Sequence, residues 1–235
     1  VTVVFRGDAD YPSQLLDLAS PPPWLFVQGD ASVLHQAALT VVGTREPSRD
    51  GLWLCDYVGY CLGDWGAATV SGLANGIDQA VHEASISAGV PTIAFLGTGI
   101  QHDYPKGSEE LRNRIVEAGG AVATEYLPGE SYSRANFVQR NRLQAALGRV
   151  LIPVEWAAKS GTAHTVRFAV ELGRPIATLR VPRWPRDRVS SVGSSGKTFT
   201  LPGEDAAFRD YVADRLASQP AARSGPSDQL DLFGT

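Results

Sequence analysis

The stretch "LTVVGTREPSRDGLWLCDYVGYCLGDWGAATVSG" (residues 39–72) sets the expected fold. It begins and ends with short β-branched runs, 39–43 and 68–72, and each run stops at a glycine, as buried strands commonly do. Between them, apolar residues recur at helical spacing over about 50–65. A strand, a helix and a second strand in this order predict a right-handed βαβ unit with parallel strands.

The same alternation continues along the chain. Further strands are predicted at 92–97, 121–125, 149–155 and 175–179, and further helices at 76–88, 108–118, 138–147 and 162–172. Repeated βαβ units predict an α/β protein. We expect a Rossmann-like, doubly wound, mostly parallel sheet with helices on both faces.

The flanking segments predict the domain organisation. Residues 1–38 form a short N-terminal lead-in with a strand in "WLFVQG", and 39–203 form the Rossmann-like core. A long basic loop is expected after residue 180, and a C-terminal helix at 204–217. The composition of 218–235 predicts a disordered C-terminal tail.

Composition indicates an ordinary globular protein. The 235 residues are 43% apolar and 20% charged, and no stretch approaches the roughly 20 apolar residues that span a bilayer. The first residues lack a signal-peptide pattern, so we expect a cytoplasmic protein without membrane contact. Cys55 and Cys61 lie six apart on a predicted helix and face different directions, which predicts buried, reduced thiols.

Charge is unevenly distributed along the chain. Residues 1–139 carry a net charge of −9, residues 140–200 of +8 and residues 201–235 of −3, for a total of −4. The total argues against an indiscriminate nucleic-acid binder. The basic zone indicates either a localised polyanion site or only a solvated basic surface.

Small-residue turns follow several predicted strands. Because the carboxyl ends of parallel strands share one edge, these turns should meet there, where helix N-termini and close backbone approach favour phosphate groups. One such turn commonly serves only as a tight connection, but several together favour a phosphate-binding crevice. No GxGxxG or P-loop motif is present, so neither a dinucleotide cofactor nor nucleotide hydrolysis is indicated. The candidate residues are Gly43, Thr44, Arg45, Ser71, Gly72, Gly76, Ser160, Gly161 and Thr162.

Titratable residues near these turns do not form a catalytic set. Asp78 is expected to brace a glycine turn, and His82 to pack or hydrogen-bond beneath it. We find no nucleophile motif and no metal-ligand spacing in the sequence. We therefore expect a protein that is not an enzyme and that needs no metal or cofactor.

The segment "RANFVQRNRLQAALGR" (134–149) is rich in arginine. A guanidinium can pair with phosphate and stack on a base, and an aromatic ring at the mouth of a basic groove, such as Phe137, suits single-stranded nucleic acid. The alternative is an ordinary amphipathic helix with Phe137, Leu143 and Leu147 inward and the arginines in water.

Read in order, several motifs resemble the DNA-processing protein A (DprA/Smf) family over about residues 10–180. They are "YPSQLLDLASPPPWLFVQGD", "VVGTREPSRDG", "SGLANGIDQAVHEA", "TIAFLGTGIQHDYP", "ATEYLPGE", "NFVQRNRLQAAL" and "VLIPVEWAAKSGTAHT". The resemblance implies a Rossmann-like core that binds single-stranded DNA, forms a homodimer and helps to load RecA. It implies no enzymatic activity.

The resemblance also implies roles for individual residues. Arg45 of "GTR" would hold a phosphate, and Phe137 would stack on a base. Arg140 and Arg142 of "RNR" would line the same pocket, with Asn141 orienting them. Lys106, after "DYP", would add a phosphate contact.

Two alternatives from other classes remain open. The "SGT" turn continues as "AHTV", a departure from the family pattern that leaves room for a divergent paralogue. Such a chain could be a sensor of a nucleotide-derived ligand that uses the same crevice. It could also be an adaptor that binds partners without DNA.

The chain ends in "SDQLDLFGT", where two leucines and a phenylalanine lie beyond a segment that should not fold. Within it, the pentapeptide "QLDLF" (229–233) resembles the motif by which bacterial polymerases and repair proteins bind the β sliding clamp. The alternative is that its apolar residues fold back onto the same chain. The motif consists of Gln229, Leu230, Asp231, Leu232 and Phe233.

Overall fold

The computed structural model describes residues 1–185, 188–190 and 192–218. Its strands are β1 Thr2–Phe5, β2 Trp24–Gly29, β3 Ala38–Gly43, β4 Ala68–Ser71, β5 Thr92–Phe95, β6 Ala121–Thr124, β7 Val150–Val154, β8 Ile176–Arg180 and β9 Gly196–Thr200. Its α-helices are α1 Arg49–Trp65, α2 Ile77–Ser87, α3 Glu109–Glu117, α4 Arg134–Leu147, α5 Gly161–Glu171 and α6 Asp205–Ala217.

The strands form one sheet in the order β1-β2-β6-β5-β4-β3-β7-β8-β9. Neighbours from β6 through β9 are parallel, whereas β2 pairs antiparallel with both β1 and β6. The chain moves outwards from β3 through β4 and β5 to β6, then returns to place β7 on the other side of β3. This reversal is the switch point of a doubly wound sheet, which confirms the predicted fold class.

Strand residues alternate between two helical layers. In β3, Leu39 and Val41 pack with α1 and α2, whereas Val42 packs with α5. In β5, Ile93 packs with α4 and Ala94 with α3. Helices α1, α2, α3 and α6 therefore cover one face, and α4 and α5 cover the other.

Helix α1 connects β3 to β4 and has well-defined ends. Ser48 caps its start, where the hydroxyl accepts a hydrogen bond from the Gly51 N–H at 3.2 Å. Its buried face includes Cys55 and Cys61, which are both free thiols, as predicted. No helix of the described residues is long and apolar enough to cross a bilayer.

Two strands were not predicted. The stretch after residue 180, expected to be a loop, contains β9, which pairs parallel with β8 from Ile176–Gly196 to Arg180–Thr200. Among the five residues of β9, only Phe199 is buried, so the period-two signal is weak. Near the start of the chain, β1 adds an edge strand beside β2.

The N-terminal segment joins the main core. Leu15 and Leu25 are fully buried in a cluster with Leu143 and Leu147 of α4. Residues 1–38 thus extend the sheet and cover part of α4. Of the predicted tail, residues 219–235, including the motif at 229–233, lie outside the described residues.

Candidate nucleic-acid interface

An open crevice of about 970 Å³ lies at the carboxyl ends of β3 and β7, at the switch point. Its walls are the turn after β3 (42–45), the first part of α4 and the turn leading into α5 (158–165). The predicted meeting of glycine turns at one edge of the sheet therefore occurs here. Doubly wound sheets bind their ligands at this position.

Asp78 fixes the turn after β3 from below. Its buried carboxylate accepts hydrogen bonds from the backbone N–H groups of Gly43 and Ala74, as the sequence predicted for a bracing residue. Burial raises the pKa of this carboxyl, and the neighbouring Arg140 and the two N–H groups oppose that effect. Asp78 therefore holds the turn after β3 in place.

His82 lies one helical turn further along α2 and is fully buried. Its Nδ1 lies 2.7 Å from the Thr92 hydroxyl. Burial lowers the pKa of His82 to about 3, so the ring is neutral at physiological pH. His82 therefore forms a hydrogen bond, as predicted, but its partner begins β5 and does not belong to the glycine turn at 71–76.

The turns after β3 and β7 are linked directly. The Thr162 hydroxyl donates to the Gly43 carbonyl at 2.8 Å, and the Asn141 side chain donates to the Gly161 carbonyl at 3.2 Å. The Ser160 hydroxyl donates to Ala157, so it does not cap α5. The first N–H groups of α5 thus carry partial positive charge without a side-chain cap, at the edge of the crevice.

Arg140 lies under the crevice and is only 4% exposed. Its Nη1 donates to the carbonyls of Gly72, at 2.6 Å, and of Phe95, and its Nε donates to Asn141 at 3.2 Å. A Cβ at residue 72 would lie 2.3 Å from Nη1, so a larger residue there would have to displace this guanidinium. The alternative prediction, in which the arginines of an amphipathic helix face water, is therefore wrong for Arg140.

Arg142 does not line the crevice, contrary to the prediction. Two residues along a helix turn a side chain by about 200°, so Arg142 faces the opposite side of α4 from Arg140. There it forms a bidentate ion pair with Glu125 at 2.6 Å and donates to the Ser20 carbonyl. Its role in the structure is to join α4 to the N-terminal segment.

Three other predicted residues also lie away from the crevice surface. The Ser71 hydroxyl is buried and donates to the Val41 carbonyl at 2.7 Å. Gly76 packs against the backbone of Thr44 and Arg45 from behind. Lys106 is exposed but is not among the lining residues, although Tyr104 and Pro105 beside it are.

Three aromatic rings gather at the mouth of the crevice. The centroid of Tyr104 lies 5.0 Å from that of Phe137 and 4.6 Å from that of Tyr132. Phe137 packs so closely on Gly97 that a Cβ there would lie 2.4 Å from its ring. The Arg45 guanidinium lies 5.9 Å from the centroid of Phe137. Tyr132 is 55% exposed and offers the most open ring of the three.

Exposed cations surround these rings. Arg45, Arg134 and Lys159 line the crevice, and within the described part of the chain no carboxylate lies within 4.0 Å of their charged groups. Arg167 also lines it and lies 3.6 Å from Glu171. Unpaired cations beside open aromatic rings suit a ligand with both phosphates and planar bases.

The N-terminus of α1 is already occupied by a carboxylate. Glu155 follows β7 with a φ of 46°, and its Oε2 accepts from the Ser48 N–H at 2.8 Å and the Ser48 hydroxyl at 3.0 Å. Its Oε1 pairs with Arg188. Related folds hold a ligand phosphate at this helix end, so a phosphate in this protein must bind elsewhere in the crevice.

Comparison with known proteins agrees with the sequence motifs. A sequence model of the family described as DNA recombination-mediator protein A matches residues 2–198. The chain belongs to the DNA recombination-mediator protein A family.

Curated relatives of this DNA recombination-mediator protein A family member include Protein Smf of Escherichia coli K12. It is 35% identical over 198 residues, which are 81% of this chain and 50% of that protein. DNA processing protein DprA of Streptococcus pneumoniae is 37% identical over 172 residues, 73% of this chain and 60% of that protein. The chain thus spans about half the length of the curated relatives it matches.

Solved structures share the fold. DprA of Streptococcus pneumoniae superposes with a TM-score of 0.77 at 33% identity, covering 88% of this chain and 73% of that one. DNA processing protein A of Helicobacter pylori, whose structure addresses a single-stranded DNA binding mode, has a TM-score of 0.77 at 22% identity. That match covers 91% of this chain and 95% of that one.

The sequence correctly predicted some of the residues that lie in the crevice. The turns after β3 and β7, Arg45 and Phe137 come together there. Sequence reasoning missed Tyr104, Tyr132 and Lys159, which lie in loops without a periodic pattern. The signal that could have found them is an aromatic or a cation within a few residues of a glycine turn or of the arginine-rich helix.

Proposed function

We propose that this chain binds single-stranded DNA in the switch-point crevice and acts in DNA recombination, uptake or repair by binding and not by catalysis. The observation that carries the proposal is a cluster of three aromatic rings, with Tyr132 exposed, beside unpaired cations in one crevice. Family membership and the solved Helicobacter pylori relative support the same class of ligand.

The cations and N–H groups would hold the phosphates. Arg45 projects from the turn after β3, and the uncapped start of α5 lies across the crevice from it. Arg134 and Lys159 extend the positive surface beyond these two points. Contacts of this kind neutralise phosphates and release counterions, so binding should weaken steeply as salt rises.

The aromatic rings would hold the bases. Stacking of a base on an aromatic ring contributes about 1–3 kcal/mol and requires the base to be unpaired, because a duplex hides its base faces. Tyr132 has the most accessible ring, and Phe137 and Tyr104 support it from behind. This arrangement favours single strands over duplex DNA.

The polar residues beneath the crevice support a non-catalytic role. The Asp78 carboxylate is engaged by backbone N–H groups, and His82 is neutral and shielded from solvent. His82 does not line the crevice, and Asp78, which does, already accepts two backbone hydrogen bonds. The alternative of a mononucleotide sensor is disfavoured by Glu155, which occupies the phosphate position at the start of α1.

The remaining partners are proposed from the family resemblance and from the tail. We infer that the protein forms a homodimer, protects single strands and helps to load RecA on them. We also infer that residues 229–233 tether it to the β sliding clamp. A short motif with apolar anchors suits a groove on a partner.

A direct titration tests the proposed function. Fluorescence polarisation with a labelled oligothymidine of about 20 nucleotides, long enough to cover a site of this class, should show binding that weakens linearly in a plot of log affinity against log salt. Arg45→Ala should reduce the slope by about 1, since one phosphate contact is lost. The matched control is Arg114→Ala on α3. It removes an equal charge from an exposed ion pair with Glu83 of α2, away from the crevice.

Two results would contradict the proposal. One is unchanged affinity and slope in Arg45→Ala. The other is thermal stabilisation of the protein by a mononucleotide without any binding of the oligothymidine, which would favour the sensor instead.

A further inference from the structure

The floor of the crevice contains a polar side chain that none of the contacts above uses. Gln144 lies on α4, one helical turn after Arg140, and is only 1% exposed, yet its side chain lines the crevice. Its Nε2 has no hydrogen-bond acceptor among the residues that the structure describes. A buried amide donor without an acceptor costs free energy, whereas leucine, of similar size, would fill the same space without that cost.

The position of this amide is fixed by its surroundings. The Thr40 hydroxyl donates to the backbone carbonyl of Gln144 at 2.6 Å, which holds this part of α4 against β3. A Cβ added to Gly72 would lie 2.5 Å from Nε2, so the amide nitrogen packs on the backbone of residue 72. The donor therefore remains at the base of the crevice, beside the guanidinium of Arg140.

We propose that Gln144 hydrogen-bonds the edge of a nucleobase that enters the crevice, and that affinity for single-stranded DNA therefore depends on base identity. The proposal rests on the proposed function. Base edges carry carbonyl oxygens and ring nitrogens that accept hydrogen bonds, and amide side chains are common readers of such edges.

The phosphate contacts lie at the mouth of the crevice, so the part of a bound nucleotide that reaches Gln144 is its base. Arg45 and the start of α5 lie where they would keep the phosphates at the mouth. Phosphate contacts do not depend on the base and differences in stacking strength give only modest preferences, so neither produces a preference set by the groups on a base edge. An edge contact at the floor can, because the pattern of donors and acceptors differs from base to base.

The test compares oligonucleotides that differ only in base. Wild-type protein and Gln144→Leu are titrated with labelled dT, dC and dA homopolymers of equal length at the same series of salt concentrations. The wild type should distinguish its best from its poorest base by about 2- to 10-fold, the range expected for one net hydrogen bond. In Gln144→Leu that ratio should fall towards 1, while the salt dependence stays that of the wild type, because no phosphate contact is removed.

The outcomes distinguish a failure of this proposal from a failure of the proposed function on which it rests. Equal wild-type affinity for the three homopolymers, or a preference that keeps its full size in Gln144→Leu, overturns the role of Gln144 and leaves single-strand binding intact. Failure of the wild type to bind any of them overturns the proposed function itself. If Gln144→Leu melts well below the wild type, Gln144→Met provides an unbranched apolar replacement for the same comparison.

Discussion

At the scale of single residues, the crevice separates two kinds of attraction. In the proposed complex, Arg45, Arg134 and Lys159 would act through charge, which salt screens. Tyr104, Tyr132 and Phe137 would act through their ring faces, which salt affects little. Variants at the two sets of residues should therefore differ in the salt dependence of binding as well as in affinity.

Tyr132 gives the clearest test of stacking, because its 55% exposure makes a folding defect unlikely to confuse the result. Tyr132→Ala should weaken oligothymidine binding by about 1–3 kcal/mol and leave the salt slope unchanged. Tyr132→Phe is the matched control and should retain wild-type affinity, since the ring face remains. Equal affinity of the alanine variant and the wild type in polarisation titrations would remove Tyr132 from the interface.

His82 predicts a pH dependence of stability. Its pKa is about 3 in the folded protein and about 6.5 when unfolded, so the unfolded chain binds an extra proton between these values. The contribution of neutral His82 is complete above about pH 6.5 and is lost as pH falls through this window, by about 2 kcal/mol at pH 5 relative to pH 7.

His82→Gln is the variant that isolates this effect. Urea denaturation at several pH values should show a smaller loss of stability between pH 7 and pH 5 in the variant than in the wild type. Other groups, including Asp78 with its raised pKa, are common to both proteins and largely cancel in the difference. Parallel pH profiles for the two proteins would show that His82 is not the group responsible.

At the scale of elements, α4 joins the crevice to the rest of the fold. One side carries Arg140, Asn141 and Gln144 to the floor of the crevice. The other side carries Arg142 to Glu125 and Ser20, and Leu143 and Leu147 into the core. The contacts of α4 with the N-terminal segment and with the end of β6 therefore help to fix the positions of Arg140, Asn141 and Gln144.

Arg142→Ala is expected to destabilise the fold. Both partners of this ion pair are nearly buried, with side-chain exposures of 8% and 12%, so removing the arginine leaves an uncompensated carboxylate at a cost of about 3–5 kcal/mol. Arg134→Ala, at an exposed position of the same helix, should change stability by less than about 0.5 kcal/mol.

Urea denaturation measures both variants. Arg142→Met combined with Glu125→Leu should recover much of the loss, because no charge is left buried. A loss below about 1 kcal/mol in Arg142→Ala, the value for an exposed pair, would contradict a buried role for the ion pair.

The sequence predicted the parallel strands and the crossover helices because their signals are local. Runs such as 39–43 and 68–72 are short, contain β-branched residues, end at glycine and alternate with amphipathic helices. The strand β9 was missed because its pairing with β8 is set by tertiary contacts, and only Phe199 marks its buried side.

Residues in the site were harder to place for a different reason. Arg140 and Arg142 belong to one tripeptide and look equivalent in the sequence, yet they end on opposite sides of α4. Helical phase separates them only once the buried face is known, and a helix with arginines on both sides gives little indication of that face. Gln144 was overlooked because one amide in an apolar run resembles an ordinary surface residue.

At the scale of the whole molecule, an acidic chain presents a basic binding surface. The net charge is −4, whereas the crevice is lined by Arg45, Arg134, Lys159 and Arg167. Such a distribution concentrates polyanion binding at one place and disfavours contact with nucleic acid elsewhere on the surface. It is consistent with a proposed second attachment through a separate segment.

The tail provides a prediction that does not depend on the crevice. Leu232→Ala combined with Phe233→Ala should abolish capture of the protein on immobilised β sliding clamp, because the apolar anchors are lost. Affinity for oligothymidine should stay unchanged. A variant with residues 229–233 reordered keeps the composition and serves as the control, and it should also fail to bind. Capture of the double alanine variant at the wild-type level would reject the motif.

The carboxylate of Glu155 at the start of α1 has a consequence for ligand size. A free nucleotide in a fold of this type derives much of its affinity from one strong phosphate position, and here that position is filled from within. A strand with many phosphates can instead combine several weaker contacts, since each one raises the effective concentration for the next. We therefore expect the protein to favour long strands, and mononucleotides to compete poorly for the same crevice.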